Sequence, residues 1–380
     1  MPLFVFALML VVFSFTTGEF VIAGILPDVA EGLSVSVSSA GHLVTAYALG
    51  MIVGGPVVTV LTSRLPRKPL IIGLMAVSIT GNLASAAAPN YPTLLLARFL
   101  SGLVVATFFA VAIATAVSHA AEGKQASTVA KIALGLNLGI ILGAPIGTFV
   151  GQHVGWRATF ATVAVFALVA LPLVLRYVPA QPAATTSAFG ELRVFTGRNV
   201  QLAIALTILG NVGVVTVFTF ISPLLTDVGG FSEGAVPALL LLYGAGAVVG
   251  NFLGGYLADR SLLPSLATLL AVLAGTLAVF WQVGDHKVPA AALTFAIGIL
   301  AFAIVPGMQT RVLTTASAAP TLAVAVNASG YQVAAAFAGW LGGWLITGPG
   351  VRSIYLVAAV LTLTGLAVAA YSMRQAPTSA

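Results

Sequence analysis

The sequence contains no cysteine, which removes disulfides and thiol chemistry from both its fold and its work. Charge is scarce as well. Only 6% of the 380 residues are charged, 9 acids and 15 bases, against about a quarter in soluble domains. The four histidines, His42, His119, His153 and His286, fall in or beside loops and lack the spacing of a metal site. No P-loop pattern is present to cradle nucleotide phosphates, so energy for any work is expected to come from a gradient, with no cofactor. No depth of the chain gathers a nucleophile, a base or metal ligands, which argues against an enzyme. The pI of about 9.8 does not imply nucleic acid, because the bases do not cluster on a soluble face. A non-transporting membrane receptor or scaffold would call for a soluble partner domain or a long docking loop, and the sequence has neither.

What is present is apolar: 59% of residues are hydrophobic and the mean hydropathy is +1.11. Stretches of about 20 residues, enough to cross a ~30 Å hydrocarbon core as a helix, fill nearly the whole length. Twelve are read, at about 3–26, 38–61, 70–88, 93–117, 127–150, 156–176, 200–222, 235–257, 265–284, 289–311, 321–346 and 353–373. The reading is an all-α membrane protein in a lipid bilayer. Residues 1–178 form one six-helix bundle, 179–199 a cytoplasmic linker rich in Ala, Thr, Pro and Arg, and 200–380 a second bundle. The first apolar run follows Met1 and Pro2 without a basic lead, so it is expected to remain as a span and not to be removed as a signal. With both termini in the cytoplasm, Arg64, Arg67, Lys68, Lys124, Lys131, Arg176, Arg193, Arg198, Arg260, Arg311 and Arg374 fall on or near the inner face. Only Arg157, Lys287 and Arg352 fall outside, while Asp28, Glu31, Asp227, Glu233 and Asp285 occupy outer loops.

The chain is doubled. Pro27, Tyr47, Gly50, Gly54 and Arg64 recur as Pro223, Tyr243, Gly246, Gly250 and Arg260 at one constant shift. Glu19 breaks the symmetry, because its counterpart is Val215. A charged side chain at mid-bilayer costs about 2.5–3.5 kcal/mol on insertion scales, so Glu19 is expected to face a polar cavity or to be partly protonated, as a proton carrier would. The plainer alternatives are a hydrogen bond to a neighbouring helix or an outward reach to the interface. Arg98, near the outer start of span four, stays charged at any working pH. It can counter a substrate carboxylate, repel a proton from a nearby acid, or reach the outer headgroups.

Span five carries Gly135, Gly139, Gly143, Gly147 and Gly151 at four-residue spacing, with Pro145 inside the run. Small residues four apart allow close helix approach in lipid. The second half keeps Gly339 and Gly343 but has Leu341 in place of Pro145, so the extra residues suggest a bend or seal beside ordinary packing. Arg64 and Arg260 end spans two and eight, where a cation complements the helix dipole. Asp259 can cap or pair with a neighbouring helix end and so bear on switching.

These residues resemble the major facilitator superfamily over the whole length, in its twelve-helix drug:proton antiporter branch. Gly255-Tyr256-Leu257-Ala258-Asp259-Arg260 resembles the superfamily's loop motif; the first-half version, Arg64-Leu65-Pro66-Arg67-Lys68, keeps the basic tail but has Ser63 where an acid usually stands. Arg98 with Gly102 is similar to the span-four motif, and Gly139, Gly143, Pro145 and Gly147 to the span-five antiporter motif. Gly18-Glu19-Phe20, Ala40-Gly41-His42, Tyr47-Ala48-Leu49-Gly50 and Gly155-Trp156-Arg157 resemble the bacterial group of arabinose-type sugar efflux proteins, chloramphenicol-resistance exporters and purine efflux pumps.

The resemblance implies two pseudo-symmetric six-helix bundles, a bacterial inner-membrane location, a monomer, and alternating access to a midplane site. It also implies that spans one, four, seven and ten line the cavity, which brings forward Phe15, Thr16, Ile22, Phe108, Phe109, Asn211, Phe218 and Gln309 as candidate substrate contacts. Glu19 and Arg98 are the candidates for proton coupling. The expected function is proton-coupled efflux of a small, mostly uncharged organic molecule, such as chloramphenicol, a sugar or a nucleoside. An uptake symporter or an uncoupled facilitator is the first alternative.

Overall fold

The computed structural model describes residues 1–62, 64–120, 125–181, 196–316 and 320–375. Ser63, Lys124, Arg193 and the linker stretch 182–195 lie outside the described residues. The chain divides into two compact units, Met1–Thr186 and Ser187–Ala380.

In the first unit, helix α1 (Leu3–Phe20) tightens into a 3₁₀ turn, Val21–Gly24, before the short α2 (Leu26–Gly32). Then come α3 (Val37–Thr62), α4 (Arg67–Ala87), α5 (Tyr91–Leu103), α6 (Val105–Val117), α7 (Gln125–Leu138), a π-helical turn Gly139–Gly143, α8 (Ala144–Val154) and α9 (Trp156–Tyr177). The second unit holds α10 (Arg198–Thr219), α11 (Ile221–Pro223), a π-helical turn Leu224–Val228, a 3₁₀ turn Glu233–Ala235, α12 (Val236–Arg260), α13 (Leu262–Val283), α14 (Lys287–Thr315), α15 (Pro320–Thr347) and α16 (Ser353–Gln375). Eleven helical stretches among the described residues are long and apolar enough to cross a membrane. The 28-residue α15 takes the place of the remaining expected span.

Local chemistry explains the breaks. Asn90 caps α5 by accepting a bond from the Thr93 amide at 3.0 Å. Gly155, with φ at 107°, makes the turn between α8 and α9 that a side chain would strain. The stretch expected as one span at 93–117 is two helices meeting at Val104, and the stretch expected at 127–150 runs on to Val154 and contains the π turn. A π turn with Pro145 at the start of the next helix is a common source of a kink, since proline offers no amide to the preceding turn.

Each unit repeats the same internal packing. α1 lies on α7 and α9, and α3 lies on α5; α10 lies on α15 and α16, and α12 lies on α14. The match is atomic in places. A Cβ on Gly50 would overlap the Phe99 carbonyl, and one on Gly54 the Leu103 carbonyl. At the same shift, Gly246 meets the Phe295 carbonyl and Gly250 the Ile299 carbonyl. The glycines that repeat in sequence are therefore those that let two backbones touch. Two of the three bases expected on the outer side also find a structural reason. Arg157 Nη2 donates to the Ala88 carbonyl at 3.0 Å, at the end of α4. Arg352 donates from Nε to Trp281 O at 2.8 Å and from Nη2 to Gln282 O at 2.9 Å, at the end of α13. Each supplies a cation to a helix C-terminus.

Candidate proton site

Glu19 is the penultimate residue of α1, where the α-helix gives way to the 3₁₀ turn. The last carbonyls of a helix lack intrahelical partners, and Arg98 of α5 uses one of them: its Nη1 donates to the Gly18 carbonyl at 2.7 Å. Gly18 leaves room for neighbours, since a Cβ there would come within 3.1 Å of Val163 and 3.6 Å of Asn82 Oδ1. Arg98 is 0% exposed, so it does not reach outward to the headgroups. Its guanidinium carbon lies 4.2 Å from the Tyr47 ring centroid and 5.7 Å from that of Phe160. Half-buried Glu19 interacts electrostatically with both Arg98 and Tyr47. No base near Glu19 in the sequence is available to it; the fold supplies one from another span.

The surroundings are incompletely satisfied. Arg98 Nε and Nη2, Thr16 Oγ1 and Asn82 Oδ1 are all buried without a hydrogen-bond partner. Buried donors and acceptors in this condition cost about 1–3 kcal/mol each. Nε and Nη2 form the side of the guanidinium fork that a carboxylate takes with two parallel bonds. Thr16 and Gly18 belong to the turn that carries Glu19, Asn82 approaches Gly18, and Arg98 binds Gly18. These four unmet groups thus gather around one turn of α1.

The glycines of span five run along the same helix. A Cβ on Gly135 would meet Met9 and Val12, on Gly139 Phe13 and Thr16, on Gly143 Thr17, on Gly147 Val21 and on Gly151 Ile25, so that Met9, Phe13, Thr17, Val21 and Ile25 stand four apart. Each four-residue step on span five is matched by a four-residue step on span one, on both sides of Glu19. The expected packing stripe is therefore a rail for the helix that carries the acid, and the π turn and buried Pro145 lie on that rail.

The remaining candidates are placed less uniformly. Phe15, Thr16, Ile22 and Phe108 are buried, and the rings of Phe15 and Phe108 lie 4.7 Å apart. Phe109 is half-buried. Asn211 is buried and donates to Thr207 O at 2.7 Å; Phe218 is buried with its ring 4.9 Å from that of Tyr243; Gln309 is exposed. Arg64, Asp259 and Arg260 are all exposed. Arg260 lies over the Tyr256 ring at 4.7 Å, and no ion pair among the described residues includes Asp259. The sequence singled out Tyr47 as a mark of the repeat and of the subgroup resemblance, not as part of a proton site, and it passed over Phe160. Their role depends on spans two, four and six converging, for which no short-range pattern exists.

A family model described as Major Facilitator Superfamily matches residues 8–321. An uncharacterized MFS-type transporter of Bacillus subtilis, YfhI, is 35% identical over 370 residues, covering 97% of this chain and 93% of that protein. A chloramphenicol resistance protein of Streptomyces lividans is 35% identical over 345 residues, 88% of this chain and 87% of that protein. Among solved structures, a D-xylose-proton symporter superposes with a TM-score of 0.78 at 17% identity, covering 98% of this chain and 97% of that one. At such low identity the superposition speaks for the fold, and it agrees with the doubled set of membrane helices. The chain belongs to the major facilitator superfamily.

Proposed function

We propose that this protein, a multi-pass membrane transporter of small molecules by its family, exports a small, mostly uncharged organic compound across a bacterial inner membrane in exchange for protons. Glu19 is the proton carrier and Arg98 its partner. The observation that carries this reading is the buried Arg98 guanidinium, bound to the Gly18 carbonyl with Nε and Nη2 unmet, in electrostatic contact with Glu19. An ionised Glu19 and Arg98 together are neutral. Protonation of Glu19 leaves Arg98 as a buried uncompensated cation, which is costly in a bilayer. That cost favours rearrangement to a state in which the cation is better solvated or paired. Span five, packed against the carrier helix through its glycines, passes the change to the rest of the first bundle. The two bundles would then alternate access, with the membrane potential contributing about 2.3 kcal/mol per charge per 100 mV.

Export is favoured over uptake by the span-five glycines with Pro145, which resemble the antiporter motif, and by a relative whose name records chloramphenicol resistance. A mostly uncharged substrate suits the aromatic and amide side chains among the candidates, Phe109 and Gln309 included. No cofactor is invoked, and the monomer is taken as the working unit.

The test uses a pump-deficient bacterial host expressing the native chain or Glu19→Gln at matched membrane levels. Accumulation of chloramphenicol, arabinose and purine nucleosides is followed with and without a protonophore. Native cells should hold less of one compound, and both the substitution and the protonophore should erase the difference. Glu19→Gln that folds and still exports against a gradient removes Glu19 from the coupling. Higher accumulation in native cells would replace export by uptake.

A further inference from the structure

Hydrogen bonding fixes only one corner of the Arg98 guanidinium, through Nη1 and the Gly18 carbonyl. Its other two donor groups are unpartnered, and the side chain is 0% exposed. A planar group held at one corner can swing, yet this one lies over the Tyr47 ring, 4.2 Å from guanidinium carbon to centroid, with Phe160 farther off at 5.7 Å. The Tyr47 hydroxyl is occupied elsewhere, donating to the Phe15 carbonyl of α1 at a long 3.5 Å. Tyr47 therefore touches both the helix that carries Glu19 and the cation beside it.

The geometry points to Tyr47 as the positioning residue of the proton site: its ring face holds the Arg98 plane through a cation–π contact and keeps the Nε–Nη2 edge available to a carboxylate. This inference rests on the proton-coupled reading above. Desolvated cation–π contacts are among the stronger of their kind, and this one lies wholly inside the bundle.

The second unit provides a natural control. Tyr243 stands at the repeated position, equally buried, against Phe218 at 4.9 Å and Phe302 at 6.3 Å. Thr294 replaces Arg98 there, and a cavity of about 10 Å³, lined by Tyr243, Thr294 and Tyr355 among others, lies beside it. The tyrosine packs the bundle in both units, but only Tyr47 faces a cation.

Two measurements on purified full-length protein separate this role from packing. In the first, position 47 carries phenylalanine or its mono-, di- and trifluorinated analogues, which drain charge from the ring face. The melting temperature should fall with each fluorine, and the same series at position 243 should stay flat. In the second, the Glu19 carboxyl band, identified by its loss in Glu19→Gln, is titrated by infrared spectroscopy. Tyr47→Phe should titrate as the native protein does, Tyr47→Leu should change the proton affinity of Glu19 at least about threefold, and Tyr243→Leu should leave it unchanged. A flat fluorine series at position 47, or a Glu19 titration indifferent to Tyr47→Leu, overturns the proposal. A Glu19 band that never titrates between about pH 4 and pH 10 defeats the proton-site reading instead, and the fluorine series alone then decides whether Tyr47 holds Arg98.

Discussion

Two acids in this chain illustrate how differently a carboxylate is used inside and outside the bilayer. Asp285 lies in the short loop between α13 and α14, with Oδ1 2.8 Å from His286 Nδ1 and Oδ2 3.6 Å from an Arg352 nitrogen. The His286 hydrogen bond, then a backbone hydrogen bond, with Arg352 adding its charge, hold the Asp285 carboxyl below the usual carboxylate range. A lowered folded value means that stability is present above the unfolded carboxyl's titration and is lost as pH falls through the folded one. Asp285→Asn should therefore melt slightly below the native protein at pH 7, by an amount kept small by solvent screening, and the gap should close as the buffer is taken into the acid range. A gap that persists or widens in acid would show that the carboxylate is not its source. Glu19 is different: half-buried at the end of α1, it interacts with the buried Arg98 of another span. It was legible in the sequence because its repeat partner is Val215, an asymmetry visible without any structure. Its electrostatic interaction with Arg98 was not, because the two share neither a helix nor a local motif.

At the level of elements, the irregularities mark where the repeat has diverged. Span four breaks at Val104 and span five contains a π turn at Gly139–Gly143, while the corresponding α14 and α15 are continuous helices. Span seven is interrupted much as span one is, through α11 and the π turn Leu224–Val228. The divergence thus falls on the two helices that hold Arg98 and the glycine rail. The four-residue glycine spacing was readable from the sequence, as was the presence of Pro145; the π turn was not, since five-residue hydrogen bonding has no compositional signature. A Cβ on Gly143 would collide with Thr17, whose hydroxyl already donates to Phe13 O at 2.7 Å. Gly143→Ala should cost about 1–3 kcal/mol as an overpacked contact and lower the melting temperature in detergent. Gly73→Ala, on an exposed face of α4 with nothing within 4 Å of the added carbon, should be neutral or stabilise by up to about 1 kcal/mol. Equal effects at the two sites would mean that span five does not ride closely on span one.

For the molecule as a whole, orientation decides which side of the membrane the Glu19 end of span one faces in the proposed exchange. The inner-face assignment of Arg64, Arg67, Lys68, Lys131, Arg176, Arg198, Arg260, Arg311 and Arg374 follows from the bias of short loops toward cytoplasmic bases. Arg157 and Arg352 run against that bias, but each donates to carbonyls at a helix end, Ala88 in one unit and Trp281 with Gln282 in the other. Their placement is accounted for by capping, so they do not weaken the orientation argument. A green fluorescent protein fused after Gln375 should fluoresce and an alkaline phosphatase fused there should be inactive, because the first folds in the cytoplasm and the second only outside it. Phosphatase fused in the outer loop after Gly229 should be active. Reversed readings would turn the chain over, place the Glu19 end of span one on the cytoplasmic side, and require protons to reach the carrier from within, which is incompatible with export driven by their entry from outside.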